Sequence, residues 1–355
     1  MIVADIVGAL GNQLFSYAAT KAIALDLGYV YRYRVVTPYC AVTTRPTLNP
    51  EGSYIDNVGQ EYCCYFEKVF HIDTTEKITE VPTSISSEFT WNRLPSTNFN
   101  KNVYSISDNT HLCGYFLCPK YFEHRRAEVL KWFRFQEAYI KRCREKLNKI
   151  AESNEATHLV SLNIRCGRSY QRYRLIIDSA YYKSAIQRIK EEFYKEKICF
   201  VLFSDDMKVA RQMLKNEKNI VLHSDTMFND LCLMSLCDSH IISNSTFSWW
   251  GAWLADETKG VVLRPSIWPT ADKNQPFAPL DIYPSNWIAV DAKKARLTVR
   301  MIASAYNYND PQAPWFKPII NACKRLTKRT AKFLLPSFIV NGLKVLWKTC
   351  FDLTR

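Results

Sequence analysis

Apolar residues at positions 2–7, interrupted only by Asp5, stop at Gly8, and after Gly11 they recur at helical spacing over 14–27. This order predicts a buried strand, a glycine turn and a helix. From 29 to 110 the periodicity dissolves into Thr, Ser, Asn, Pro and Tyr, a composition shared by ligand-contacting loops and by ordinary connections. Order returns as a strand over 112–117 and a long amphipathic helical stretch over 121–154. Beyond it, strands over 157–165, 198–203, 220–222, 240–243 and 260–263 alternate with helices over 180–193, 207–214, 229–237 and 248–255. Such alternation predicts an α/β fold with a parallel sheet covered on both faces. The length fits two Rossmann-like units, over 1–155 and 156–292, followed by a tail over 293–355. Open sheets of this kind bind ligands at the carboxyl ends of their strands, so the residues just after each strand are the candidates for chemistry.

Four strand ends stand out. The first carries Gly8-Ala9-Leu10-Gly11-Asn12-Gln13-Leu14-Phe15, which lacks the Gly-x-Gly-x-x-Gly dinucleotide fingerprint and taken alone reads as a tight turn before a helix N-terminus suited to an anion. The second is Asn163-Ile164-Arg165-Cys166-Gly167-Arg168. Asn163 and Arg165 share a side, Gly167 makes the turn, and with Arg172 and Arg174 there are four arginines between 165 and 174. Arginine there holds a diphosphate in bidentate contacts without a metal; a solvated basic loop is the competing reading. The third, Ser204-Asp205-Asp206, offers carboxylates for Mg²⁺, for a ribose or guanine, or for capping the helix that follows. The fourth, Asn244-Ser245-Thr246-Phe247-Ser248-Trp249-Trp250-Gly251, sets three hydroxyls at a strand-to-helix turn, with Trp249 and Trp250 expected in the core.

Composition narrows the classes. At 355 residues, 47% apolar and 23% charged, the chain is neither disordered nor fibrous. The formal charge of +13 admits nucleic acid, an anionic membrane or an acidic substrate until it is located. Residues 293–355 hold 13 Lys and Arg against Asp310 and Asp352, a net +11, leaving +2 for residues 1–292. In that tail Pro311, Pro314 and Pro318 mark a linker. Ile319, Ile320, Cys323, Leu326, Phe333 and Leu334 then fall mostly on one helical face, opposite Lys324, Arg325, Lys328, Arg329 and Lys332. A basic amphipathic helix with aromatic residues reads as an interfacial membrane anchor, against the alternative of a helix packed on the body. No nucleic-acid-binding motif accompanies the charge. The twelve cysteines show no Cys-x-x-Cys or zinc spacing and several sit in apolar runs, so they are expected as reduced core residues of a cytosolic chain. The start is not that of a signal peptide, and the most apolar late stretch, 333–347, is interrupted by Pro336, Asn341 and Lys344.

The order and spacing of the four strand-end segments closely resemble glycosyltransferase family 11, the bacterial and animal α-1,2-fucosyltransferases. The segment from Val7 through Gly8, Gly11, Asn12, Gln13 and Phe15 to Ala18 is similar to that family's opening Gly-Gly-Leu-Gly-Asn-Gln-Met-Phe. Gly114-Tyr115-Phe116, with Lys120-Tyr121-Phe122, resembles its Gly-Tyr-Trp segment. Phe203-Ser204-Asp205-Asp206, Met234-Ser235-Leu236-Cys237, the run from Asn244 to Trp253 and Tyr283-Pro284-Ser285-Asn286-Trp287-Ile288 match later motifs, so the resemblance covers residues 1 to about 292.

The resemblance implies a GT-B arrangement of two Rossmann-like domains facing a cleft, the first for the acceptor and the second for GDP-fucose. The implied reaction is inverting transfer of L-fucose to the 2-hydroxyl of a galactoside, with no metal or other cofactor. By matching positions, Arg165 binds the diphosphate and Asn12 lies near the donor phosphate or transferred sugar. Asp205 and Asp206 serve the nucleoside or the architecture around it, and Ser245, Thr246, Phe247 and Ser248 contact phosphate or ribose. Gly11, Gln13, Asn163, Gly167 and Asn244 complete the expected donor site. One segment departs from the family pattern His-x-Arg-x-Gly-Asp-Tyr: Asn163 stands for His, Arg168 for Asp, and Tyr170 comes one position late. Two titratable groups suited to general-base work are thereby lost. Three readings stay open: a base elsewhere, proton transfer to the leaving phosphate, or altered donor or acceptor choice extending to a non-catalytic glycan-binding protein. Expected partners are GDP-fucose, a galactose-containing surface glycan or lipid-linked intermediate, and a membrane surface. The expected location is cytoplasmic and peripheral to the membrane.

Overall fold

The first apolar run forms β1, Ile2–Ile6, and a turn at Gly8, whose φ of +82° suits glycine, delivers the chain into α1, Leu10–Asp26. The helix begins four residues earlier than its apolar spacing indicates, so Gly11, Asn12 and Gln13 occupy its first turn. In this computed structural model the described residues are 1–35, 66–91, 97–223, 225–271 and 276–295, with the backbone of three short strands between 47 and 62; the side chains of Lys68, Trp91, Arg168 and Arg172 lie outside that set, as does the basic tail from 296 onward. All of them belong to one compact unit, Met1–Leu297.

The irregular region holds more order than its composition indicates. β2, Tyr31–Val35, lies parallel to β1. A small antiparallel sheet joins β3, Thr47–Leu48, β4, Tyr54–Ile55, and β5, Glu61–Tyr62. β6, Ser87–Trp91, pairs with β7, Thr110–Gly114, giving a parallel sheet in the order β2-β1-β7-β6. The expected long helix is divided. Two short 3-10 turns precede α2, Arg126–Trp132, and α3, Glu137–Ser153, follows a break in which Phe133 and Phe135 turn inward. Phe70 meets both rings, at 5.4 and 4.6 Å between centroids, and burial of that pair outweighs continuation of the helix.

The second half follows the predicted alternation. β8, His158–Ile164, leads into a short helix that the sequence did not announce, α4, Arg168–Tyr173, and then α5, Ser179–Glu192. β9, Ile198–Ser204, α6, Met207–Met213, β10, Ile220–Leu222, α7, Met227–Leu236, β11, Ser239–Ile241, α8, Thr246–Trp253, and β12, Val262–Pro265, complete it, and a further strand beyond the predicted series, β13, Ile288–Val290, follows. These strands form one parallel sheet in the order β10-β9-β8-β11-β12-β13.

A continuous core runs between the two sheets. α1 is buried nearly all round, its polar residues Gln13, Ser16 and Thr20 included, and its one buried cation, Lys21, is matched by Glu76 at 2.6 Å. Phe15 of α1 lies 4.4 Å from Trp249 and 5.2 Å from Trp250 of α8, while Phe122 stacks on Trp250 at 5.5 Å. Trp249 and Trp250 are fully enclosed, as expected. Cys118, Cys143, Cys166, Cys199, Cys232 and Cys237 are buried and unpaired and Cys113 is half-buried; Cys40, Cys63, Cys64, Cys323 and Cys350 lie outside the described residues. Among the described residues no helix is long and apolar enough to cross a membrane.

Two buried histidines make this fold acid-sensitive. His158 Nε2 lies 2.8 Å from Ser239 Oγ, and His240 Nδ1 lies 2.7 Å from Ser161 Oγ. Burial pushes His240 down to about 3, and His158 beside it adds to the effect. Above about pH 6.5 the group is neutral in folded and unfolded chains alike and contributes no pH dependence. Below it the unfolded chain takes up a proton that the folded chain refuses, so stability should fall by roughly 1.4 kcal/mol per pH unit until about pH 3. Urea denaturation at pH 7.5 and 5 should show the loss, and His240→Asn should flatten it; equal slopes in the two proteins would exclude His240 as the source.

Candidate active site

The central site is built where β8 and β9 end together. Their register closes on Ile164 opposite Ser204, so Arg165 and Asp205 leave the sheet as neighbours. Arg165 Nη1 lies 3.1 Å from Asp205 Oδ2, and Asp205 Oδ1 accepts the Cys166 amide at 2.8 Å. Gly167, the N-cap of α4, passes so close that an added Cβ would collide with this carboxylate. One carboxylate therefore holds both the backbone and the guanidinium of the turn. Across from it the Arg165 guanidinium lies over the Tyr170 ring at 5.2 Å. Burial pushes the Tyr170 hydroxyl up to about 12 against the opposing pull of Arg165. It remains a neutral donor and gives its hydrogen to the Asn244 carbonyl at 2.7 Å.

The remaining residues divide by what already engages them. Asp206 caps α6 by accepting the Val209 amide at 3.1 Å, the capping role foreseen for one of the pair. Asn163 is buried within the sheet, where its Oδ1 accepts Ser243 Oγ at 2.7 Å and its Nδ2 donates to the Phe203 carbonyl at 3.4 Å. Asn244 Nδ2 donates to the Leu175 carbonyl at 3.0 Å, and Asn244 Oδ1 is buried without a hydrogen-bond partner. Ser248, fully enclosed, donates to the Ser245 carbonyl at 3.1 Å, and Gln13 Nε2 donates to the Gly8 carbonyl at 2.9 Å.

Two helix N-termini converge beside these groups. Thr246 Oγ1, at the start of α8, donates to Asn12 Oδ1 in the first turn of α1 at 2.7 Å. Gly11 makes the approach possible, since a Cβ there would stand 2.6 Å from the Phe247 nitrogen. The positive ends of both helix dipoles favour an anion at this junction. Arg165 meets Tyr170 and Tyr170 meets Asn244, while Thr246, two residues further along the chain, meets Asn12, so strand ends from both sheets are brought near one another. Arg165, Asn12, Thr246 and Phe247 keep partial solvent exposure, while Gln13, Asn163, Asn244, Ser245 and Ser248 are buried. The side chains of Arg168 and Arg172 lie outside the described set.

Sequence reasoning missed the Asp205 clamp and the Tyr170 platform. The first depends on the register of β8 against β9, which sets Ile164 opposite Ser204 and which no local pattern in the sequence announces. Asp205→Asn replaces an acceptor that serves two donors with a side chain whose amide nitrogen repels one of them. It should lower kcat/KM about 10-fold to 100-fold through loss of Arg165 alignment, with little change in melting temperature. Steady-state kinetics with donor varied will check this, and an unchanged rate would show that the clamp does not matter.

Residues 70–291 match the profile of Glycosyl transferase family 11. The chain belongs to that family. A family 11 relative, the O-antigen biosynthesis glycosyltransferase WbnK of Escherichia coli, is 30% identical over 294 residues, covering 74% of this chain and 92% of that protein. The alpha-1,2-colitosyltransferase of Escherichia coli is 25% identical over 311 residues, 82% of this chain and 99% of that one. The galactoside 2-alpha-L-fucosyltransferase Sec1 of Mus musculus is 22% identical over 304 residues, 80% and 72% of the two chains. This family 11 glycosyltransferase departs from the family's own His-x-Arg-x-Gly-Asp segment, and the structure gives the departure a form. The position of the missing His is taken by a buried amide locked between β9 and the end of β11, a group that cannot take a proton.

Proposed function

We propose that this glycosyltransferase moves L-fucose from GDP-fucose to the 2-hydroxyl of a galactoside, with inversion and without an added divalent cation. The observation that carries the reading is the Arg165 turn, whose guanidinium is fixed by Asp205 and Tyr170 beside two converging helix N-termini. A leaving diphosphate needs such preorganised positive charge, and a fixed guanidinium supplies it where other transferases use a metal. In this reading Arg165 neutralises the diphosphate, Asn12 and Thr246 meet the phosphate or the transferred sugar, and Asp205 keeps Arg165 aligned. The two sheets form a GT-B arrangement, residues 1–155 facing the acceptor and 156–292 the donor. The relative named as a galactoside 2-alpha-L-fucosyltransferase supports the linkage.

A second reading has its own support. Asn163 and Arg168 alter the Arg165 segment, and one relative is named for colitose, so another nucleotide-activated sugar is the alternative donor. The +11 tail supports work at an anionic membrane on the cytoplasmic side, on a surface glycan or lipid-linked intermediate, since each basic residue near such a surface contributes about 1 kcal/mol. The decisive experiment incubates the full chain with galactoside acceptors and a panel of GDP-sugars in the absence of added Mg²⁺, followed by linkage analysis. Transfer of fucose to the 2-position is expected. Preference for another sugar selects the second reading, and binding of acceptor with no transfer from any donor would overturn both.

A further inference from the structure

Strands of a parallel sheet covered on both faces are normally apolar on both. One face of the N-terminal sheet is not. Ile2, Ala4 and Ile6 of β1 enter the core, whereas Asp5 points to the opposite face. On that face the register sets Arg34 of β2 beside Asp5, and Glu88 of β6 beside His111 of β7. Cys113, two residues after His111 on β7, shares its side. A carboxylate, an imidazole and a thiol so placed lie within 4.8 Å of one another. His111 Nε2 is 2.9 Å from Asp5 Oδ1, Cys113 Sγ is 3.5 Å from the same nitrogen, and Sγ is 3.9 Å from Asp5 Oδ2.

We propose that Asp5, His111 and Cys113 form a binding site for a zinc-class divalent cation, tying β1 to β7. Donors bound about 2.0–2.3 Å from a tetrahedral zinc stand about 3.3–3.6 Å from each other, so the three measured separations need only side-chain adjustment on fixed strands. The donor set, one nitrogen, one sulfur and one carboxylate oxygen, matches a borderline-soft cation and not Mg²⁺ or Ca²⁺. Outer groups are in place as well. Arg34 grips the Asp5 carboxylate through Nε at 2.6 Å and Nη2 at 3.1 Å, and Glu88 Oε2 stands 4.0 Å from His111 Nδ1, the nitrogen left over when Nε2 binds metal. The competing reading is a hydrogen-bonded cluster without metal, in which Arg34 and His111 flank the Asp5 carboxylate and the Cys113 thiol donates to Asp5 Oδ2 at 3.9 Å; the titration below separates the two. Sequence spacing conceals the site because Asp5 is 108 residues before Cys113. The site is independent of the donor reading above, since it uses none of the groups assigned to the diphosphate.

The test uses the full chain, freed of metal by chelator and then dialysed, titrated with Co²⁺ and with Zn²⁺ in competition with a chromophoric chelator. One equivalent of Co²⁺ should produce a thiolate-to-metal charge-transfer band that is absent in Cys113→Ser. Zinc affinity should fall at least ~100-fold in Cys113→Ser and His111→Asn and about 10-fold in Arg34→Gln. His111→Asn keeps the thiol and serves should Cys113→Ser fail to fold, with far-UV circular dichroism confirming the fold of each variant. Absence of the band in the parent protein, or parent-like zinc affinity in either folded ligand variant, would overturn the proposal.

Discussion

Replacing Arg165 with alanine is expected to lower kcat/KM for sugar transfer by roughly 10³-fold, or about 4 kcal/mol of transition-state stabilisation. The size follows from where the charge sits. In the proposed reaction negative charge grows on the departing diphosphate as the glycosidic bond breaks, and a guanidinium already held at 3.1 Å from Asp205 and over the Tyr170 ring need not reorganise to meet it. Arg165→Lys should recover little, because an ammonium is a point donor that neither forks onto two phosphate oxygens nor stacks on the ring in the same way. Both variants should melt close to the parent, since the side chain is partly exposed and Asp205 retains the Cys166 amide. Initial rates at saturating acceptor across donor concentrations provide the check. An alanine variant with a parent-like rate would remove Arg165 from the chemistry.

The second large effect is one of space. Gly11→Val should destabilise the protein by about 3 kcal/mol, a fall in Tm on the order of 5 °C, with Gly11→Ala producing a smaller part of it. A Cβ on Gly11 would stand 2.5 Å from the Thr246 carbonyl carbon and 2.7 Å from Thr246 Oγ1. Most of what it meets is backbone at the start of α8, which cannot rotate away as a flexible side chain would. The helices must separate, breaking the Asn12–Thr246 bond and loosening the contact of Phe15 with Trp249. Differential scanning calorimetry and transfer rate should therefore fall together. Parent-like melting would mean that α1 and α8 tolerate a wider spacing.

The second half of the fold was legible because its strands are nearly pure apolar runs, as in Cys199 to Phe203, punctuated by turn residues. β2 and β6 escaped because Tyr31-Arg32-Tyr33-Arg34 and Ser87-Glu88-Phe89-Thr90 alternate polar with apolar residues, a pattern that reads equally well as loop in a stretch rich in Thr, Asn and Pro. α4 escaped because six residues hold no helical period. At the site, residue types at strand ends pointed to an anion, and Asp206 was foreseeable as a cap. The partnership of Arg165 with Asp205 was not, because it depends on a register between strands 40 residues apart.

The aromatic seam has a further consequence. Because Phe15, Phe122 and Phe133 pack directly on Trp249, Trp250 and Trp253, neither sheet owns a complete interior. Fragments made by cutting the chain near residue 155 would each present an unsatisfied aromatic wall and would associate with one another before either folded alone. Heating should melt both halves in one cooperative transition, and the two halves cannot swing apart about a hinge as self-sufficient lobes. Traffic of donor and product would then rest on movement of surface segments around a body that stays whole.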